Sequence, residues 1–184
     1  MIRNNVISEV KSRGREMSKK YNILFVCTGN SARSQLAEAI ANTLSHGRFV
    51  GHSAGTEHTM GNDVHPMVVE LVHDMGYSTQ KMRKKDWNEY MAADAPEMDF
   101  VITLCDDAAK EPEPEWKGDP VSAHWSFSDP TKVTGTEEEV REAFVQVEMG
   151  LRSRLDLLLD LPLEDLDKMA IHHEVTKIGS KTHH

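Results

Sequence analysis

Cysteine is scarce in this chain: its 184 residues include two, Cys27 and Cys105. Two thiols cannot build the disulfide framework of a small secreted domain, and the expected home is a reducing cytoplasm. Basic side chains are also in deficit, 21 Lys and Arg against 30 Asp and Glu, for a formal net charge of −9. That balance excludes an electropositive nucleic-acid surface and gives no attraction to anionic membranes. No apolar run approaches the roughly 20 residues of a membrane span, and the N-terminus lacks a hydrophobic signal-peptide core. Internal repeats and low-complexity segments are absent too, which excludes a solenoid or array. What remains is one domain long enough for a real core.

Within it, Cys27-Thr28-Gly29-Asn30-Ser31-Ala32-Arg33-Ser34 stands directly behind the apolar run Tyr21-Asn22-Ile23-Leu24-Phe25-Val26. The run reads as a short buried strand. From Arg33 the period changes: Leu36, Ile40 and Leu44 recur at helical spacing, with alanines between them. Residues 27–32 are therefore a strand-to-helix loop, whose backbone N–H groups and helix N-terminus can converge on an anion. Gly29 is expected to supply a positive φ, with Asn30 among the few other residues that tolerate one. Helix end and guanidinium both favour a thiolate, so Cys27 is expected to titrate below the free value of about 8.5. The planar fork of Arg33 suits two oxyanion oxygens at once. Ser34 can donate its hydroxyl to the sulfur. The bland alternative is that Cys27 is a small buried hydrophobe at a strand end. A C-x5-R match alone is common; strand before, helix after and Gly-Asn within favour the nucleophile.

Residues 48–54 read as a second strand and 64–75 as a helix with Val64, Met67, Val68, Leu71, Val72 and Met75 on one face, ended by Gly76. Residues 100–104 are a third buried strand. Pro112, Pro114, Gly118 and Pro120 mark a long loop. A last, long helix opens at the capping box Thr136-x-x-Glu139, runs Val140, Phe144, Val147, Leu151, Leu155 and Leu158 down its core face, and is stopped by Pro162. Alternating strands and helices imply a parallel sheet within an α/β domain. Residues 1–20, with Arg3, Lys11, Arg13, Arg15, Lys19 and Lys20 against Glu9 and Glu16, read as a flexible N-terminal extension. Whether translation begins at Met1 or Met17 is open on the sequence. Residues 21–180 are the single domain and 181–184 a tail.

The segment from Cys27 to Ser34 resembles the active-site loop of the low-molecular-weight protein tyrosine phosphatase superfamily, and more closely that of the arsenate reductases built on that fold. Ser53-Ala54-Gly55-Thr56 is similar to the segment after the second strand in that family. Val101-Ile102-Thr103-Leu104-Cys105-Asp106 is similar to the reductase strand that carries a redox cysteine. His124-Trp125-Ser126-Phe127-Ser128-Asp129-Pro130 is similar to the loop that carries the general acid. The resemblance covers about residues 21–180 in the expected order. It implies a three-layer sandwich around a four-stranded, doubly wound parallel sheet, with the loop at the carboxyl ends of the strands.

It also implies roles. Cys27 is the nucleophile, and Thr28, Gly29, Asn30, Ser31, Ala32 and Arg33 hold the oxyanion. Asn30 keeps the loop in shape and Ser34 tunes the sulfur. Asp129 would protonate the departing oxygen; locally an Asp-Pro turn is an equal reading, and the resemblance favours the acid. Such an acid is expected to be protonated near neutral pH. Cys105 locally reads as a buried strand thiol; the resemblance makes it the thiol that attacks Cys27 after arsenylation. Phosphatase chemistry needs no second thiol.

Two departures bear on the reductant. Thioredoxin-coupled relatives carry a further cysteine after this strand, where the loop Asp106 to Gly118 has none and Glu113 takes the approximate place. Before Arg33, where many relatives have cysteine, stands Ala32. A three-cysteine relay is thus excluded within the chain, which puts glutathione with glutaredoxin ahead of thioredoxin as external reductant. No bound cofactor and no metal are expected. The histidines, His172-His173, His183-His184, His52, His58 and His65 among them, read as exposed. Met60, Met67, Met75, Met82, Met91 and Met98 read as core filler, residues 81–85 as a solvated face around Arg83, and Trp87 as an anchor to the core. The expected activity is reduction of arsenate to arsenite, with phosphate or sulfate as competing anions. The rivals are a phosphomonoester phosphatase, against which stand Gln35 and Thr131 where such phosphatases carry proline and tyrosine, and a non-enzymatic oxyanion or thiol sensor.

Overall fold

A computed structural model of the chain describes residues 19–57 and 61–180. The extension before residue 19, His58, Met60 and the 181–184 tail lie outside the described residues. Four strands, β1 (Tyr21–Cys27), β2 (Phe49–Gly55), β3 (Phe100–Thr103) and β4 (Val121–His124), form one sheet in the order β2-β1-β3-β4. Every pair is parallel, with Tyr21 opposite Phe49, Val26 opposite Thr103, and Thr103 opposite His124. The helices are α1 (Arg33–Leu44), α2 (Pro66–Asp74), α3 (Asp106–Lys110), α4 (Glu137–Leu159) and α5 (Lys168–Gly179).

The unbroken apolar character of β1 follows from burial on both sides. Ile23 and Phe25 join a large core with Leu36, Ile40, Phe144, Leu151, Leu155 and Val175. Leu24 and Val26 join a smaller one with Val101, Cys105, Ala108 and Trp116, against which Trp87 and Tyr90 pack. Trp87 is thus the anchor expected, meeting Trp116 edge-on at 5.9 Å. α4 begins at the expected capping box, with the Thr136 hydroxyl accepting from Glu139 N and the Glu139 carboxylate accepting from Thr136 N.

Three stretches differ from expectation. Residues 106–110 form α3 instead of the start of a long loop, and Cys105 is the residue that caps it. His172 and His173 sit exposed on α5 rather than in a polar tail; Val175 and Ile178 bury that helix. Met98 is fully buried and Met67, Met75 and Met82 line the core, but Met91 is exposed. The chain leaves β1 toward β2 on one side and returns to β3 on the other. Such a reversal opens a crevice at the carboxyl ends of the two central strands, and the loop after β1 sits there.

Candidate active site

α1 starts at Ala32 with no side-chain acceptor for its first N–H groups. A helix end left uncapped in this way presents donors to an anion. The loop ahead of it is pinned from outside: Thr56 N donates to Cys27 O at 3.0 Å, Glu57 N to Thr28 O at 3.1 Å, and His65 N to Ser31 O at 3.0 Å. Because each trans peptide directs its carbonyl and the next N–H to opposite sides, outward carbonyls turn N–H groups inward. Asn30 N points at Cys27 Sγ, 3.3 Å away.

The positive φ lies at Asn30, at 52°, and not at Gly29 as expected. Asparagine can hold that conformation where its side chain is fixed. Here its amide nitrogen donates to Ser34 Oγ at 2.8 Å and its Oδ1 accepts from Lys85 N at 2.8 Å and Gln35 Nε2 at 3.0 Å. Gln35 Nε2 also donates to Asn30 O at 3.1 Å and to Arg83 O at 2.7 Å. Asn30, Ser34 and Gln35 are fully buried. Gln35, a mere departure from phosphatase pattern in sequence, is thus a strut of the loop. So is Lys85: the solvated face expected over 81–85 ends there, since Lys85 is buried with Nζ 3.8 Å from Glu38 Oε1. Burial lowers the Lys85 pKa against the pull of Glu38, and burial raises that of Glu38 against the pull of Lys85. His52, expected to be exposed, is largely enclosed. Burial first, and then the Lys85 charge, bring its pKa down to about 4; its Nε2 lies 3.2 Å from Asn22 Oδ1.

The sulfur of Cys27 lies 2.9 Å from Ser34 Oγ and the residue is 3% exposed. Its pKa departs from expectation. Burial pushes the thiol up and outweighs the Ser34 hydroxyl, Arg33 and Asn30 N–H, which all pull it down. Burial thus favours the thiol form. Arg33 crosses to the acid loop: Nη1 donates to Phe127 O at 3.0 Å and Nη2 lies 3.6 Å from Asp129 Oδ2. Asp129 in turn accepts from Thr131 N at 3.0 Å and Thr131 Oγ1 at 2.6 Å. Burial raises its pKa, but the Thr131 bonds and Arg33 prevail and hold it below the usual carboxylate range. These donors favour the Asp129 carboxylate, against the protonated acid expected from the sequence.

Cys105 is 5% exposed and shares the smaller core with Cys27. Leu104 N donates to Val26 O at 2.8 Å, so the two strand ends run side by side, and both thiols are free. Glu113 Oε1 accepts from Trp116 Nε1 at 3.1 Å and Ser122 Oγ at 2.5 Å. The place of a relay cysteine is thus filled by a carboxylate tying the loop to β4. Among the described residues no group of three or more His, Cys, Asp and Glu side chains converges as metal ligands.

A buried thiol at a parallel strand end, enclosed by a loop ending in arginine and faced by an aspartate, is an arrangement able to hold an oxyanion. The chain belongs to the low molecular weight phosphotyrosine protein phosphatase family, whose model matches residues 22–169. It is 36% identical over 142 residues to an arsenate reductase of Oceanobacillus iheyensis, covering 76% of this chain and 94% of the relative. It is 32% identical over 108 residues to a glutaredoxin arsenate reductase of Synechocystis sp., covering 59% of this chain and 77% of the relative. A solved structure described as an arsenate reductase in the phosphate binding state superposes with a TM-score of 0.59 at 28% identity, covering 76% of this chain and 96% of the other.

Proposed function

We propose that this chain is a thiol-dependent arsenate reductase acting in a reducing cytoplasm. One observation carries the reductase reading over the phosphatase one: a second buried thiol, Cys105, lies two residues beyond the strand that pairs with the one ending in Cys27, in the same buried cluster. Hydrolysis has no use for it. The likeness to named arsenate reductases supports the same choice.

Arsenate binds the inward N–H groups of residues 28–32 and the fork of Arg33. The bound anion takes over part of the charge that Arg33 gives Asp129, and the Asp129 carboxylate takes up the proton that the Cys27 thiol releases, which leaves a thiolate facing a protonated acid. Cys27 sulfur, as thiolate, attacks arsenic; the S–As bond forms, an As–O bond breaks, and Asp129 gives its proton to the departing oxygen, which leaves as water. A second thiolate, that of Cys105 or glutathione, then attacks Cys27 sulfur. The S–As electron pair goes to arsenic, which falls from As(V) to As(III) and leaves as arsenite, and a disulfide remains. An external thiol restores it. With no third cysteine in the chain, glutathione and glutaredoxin are the preferred reductants.

The test is arsenate turnover with glutathione plus glutaredoxin and, in parallel, with thioredoxin; p-nitrophenyl phosphate serves as the phosphatase control. Cys27→Ser is expected to abolish reduction, and substantial remaining activity would sink the mechanism. Cys105→Ser separates the two routes: undiminished glutathione-driven reduction means that glutathione, not Cys105, attacks the adduct. Phosphate-ester turnover without arsenate reduction would make the chain a phosphatase.

A further inference from the structure

Among the described residues, one buried cation that the mechanism does not use lies against the loop of Asp129. Arg154, on α4, is 7% exposed. Its guanidinium carbon stands 4.2 Å from the centroid of the Phe127 ring, and its Nη1 donates to Ser126 O at 3.3 Å. Both partners belong to the loop that ends in Asp129. Phe127 is gripped from another side by the same helix. Gly150, one turn before Arg154, lies so close that a Cβ there would stand 2.8 Å from the Phe127 ring. Only glycine admits the ring at that distance. The backbone of the same residue faces the site, since Phe127 O is the acceptor of Arg33 Nη1 at 3.0 Å. One residue thus carries the ring that α4 holds and the carbonyl that orients Arg33. Beside it a groove of about 560 Å³, lined by Asp129, Phe127, Gln146 and Arg154 among others, leaves the loop without packed support on that side.

We propose that Arg154, with Gly150, is a positioning residue for the proton-transfer step: it fixes Phe127, and through Phe127 both Asp129 and Arg33. A cation stacked on an aromatic face and bonded to the preceding carbonyl restrains rotation of the ring and slippage of the loop together. An apolar side chain of the same length would fill the space and supply neither restraint. Neither residue touches the oxyanion; both act on where the acid stands. Misplacing a reacting group by about 1 Å costs on the order of a hundredfold in rate, so a brace at this distance can be read in kcat.

The proposal rests on the reductase reading above, and the experiment separates the two. Full-length wild type, Arg154→Met, Arg154→Lys, Gly150→Ala, Asp129→Asn and the double variant Arg154→Met/Asp129→Asn are compared in arsenate turnover. Protection of Cys27 from iodoacetamide by inorganic phosphate and the thermal midpoint are measured on the same samples. Asp129→Asn alone is expected to lower kcat about a hundredfold, the scale of a general acid. Arg154→Met and Gly150→Ala should each lower kcat roughly tenfold or more, with KM for arsenate and phosphate protection moved less than kcat, because the N–H cradle stays in place while Arg33 loses only the carbonyl that orients it. Arg154→Lys, which keeps charge without the planar stack, should recover part of the loss. In the double variant the two losses should not multiply, since both act on one proton transfer. Gly150→Ala approaches the ring from another direction and raises helix propensity, so it reports even where Arg154→Met folds poorly. The proposal is overturned by folded variants with wild-type kcat, or by losses that multiply in full. Should Asp129→Asn itself leave kcat unchanged, the acid assignment fails instead.

Discussion

Cys27 meets opposing demands. Its nearly complete burial favours the neutral thiol, while Ser34, Arg33 and the Asn30 N–H favour the thiolate that must attack. Burial prevails, so the folded pKa lies above the unfolded one. The sign follows: the neutral thiol adds stability below the ordinary value of about 8.5, and that part is lost as pH rises through the folded pKa. Ser34→Ala removes a donor to the sulfur and should move the pKa further up. Iodoacetamide alkylation of Cys27 should then slow several-fold near neutral pH, with its midpoint at higher pH than in wild type; an unmoved or lowered midpoint would refute the role given to Ser34. The grouping of Cys27, Arg33 and Ser34 at one loop was legible because all three lie within eight residues. Gln35, Lys85 and Arg154 were not. Gln35 acts on Arg83 O, 48 positions away, Arg154 on Ser126 O, 28 away, and Arg33 meets Phe127 across 94. No local pattern encodes such partners. The low pKa of Asp129 has a near and a far cause: the Thr131 bonds belong to the Asp-Pro turn that the sequence offered as the alternative reading, whereas Arg33 reaches it from across the chain.

Elements were legible in proportion to their length. α4 spans 23 residues with a capping box at its head, so both period and start are written in the chain. β4 spans four residues and α3 five, too short for either period to show. β4 was reached through family resemblance alone. α5 hides for another reason: its buried residues are Val175 and Ile178, while Met169 on the same helix is 83% exposed. The stripe is too sparse to count. The capping box gives this scale its test. Thr136→Ala removes the acceptor for Glu139 N and should cost about 1 kcal/mol in urea or thermal unfolding. Activity should fall little at temperatures where the protein stays folded, because Thr136 is exposed and α4 is anchored along its length by Phe144, Leu151 and Leu155. A loss beyond about 2 kcal/mol would mean that the cap also holds the acid loop just ahead of it.

At the scale of the molecule, an oxyanion has to approach a body of net charge −9. The attraction is local, confined to the cradle and Arg33, while the distant field repels. Raising sodium chloride from about 10 to 150 mM shortens the screening length from about 30 to 8 Å and weakens the distant field most. The kcat/KM for arsenate should therefore rise with chloride, by less than about tenfold, where a basic enzyme would show a fall. A monotonic decline would place the controlling charge in the cradle itself. Sulfate and phosphate are unsuitable as the salt, since they fit the same loop.

The buried Cys27 has a consequence for survival. A cell exposed to arsenic also has oxidants to contend with, and a standing thiolate at an open pocket would be consumed by peroxide on the way to irreversible sulfinic acid. Here the loop keeps Cys27 3% exposed, and burial pushes its thiol pKa up. An oxidant must enter the loop to reach that sulfur, so Cys27 in the folded protein should be lost to peroxide more slowly than an exposed cysteine.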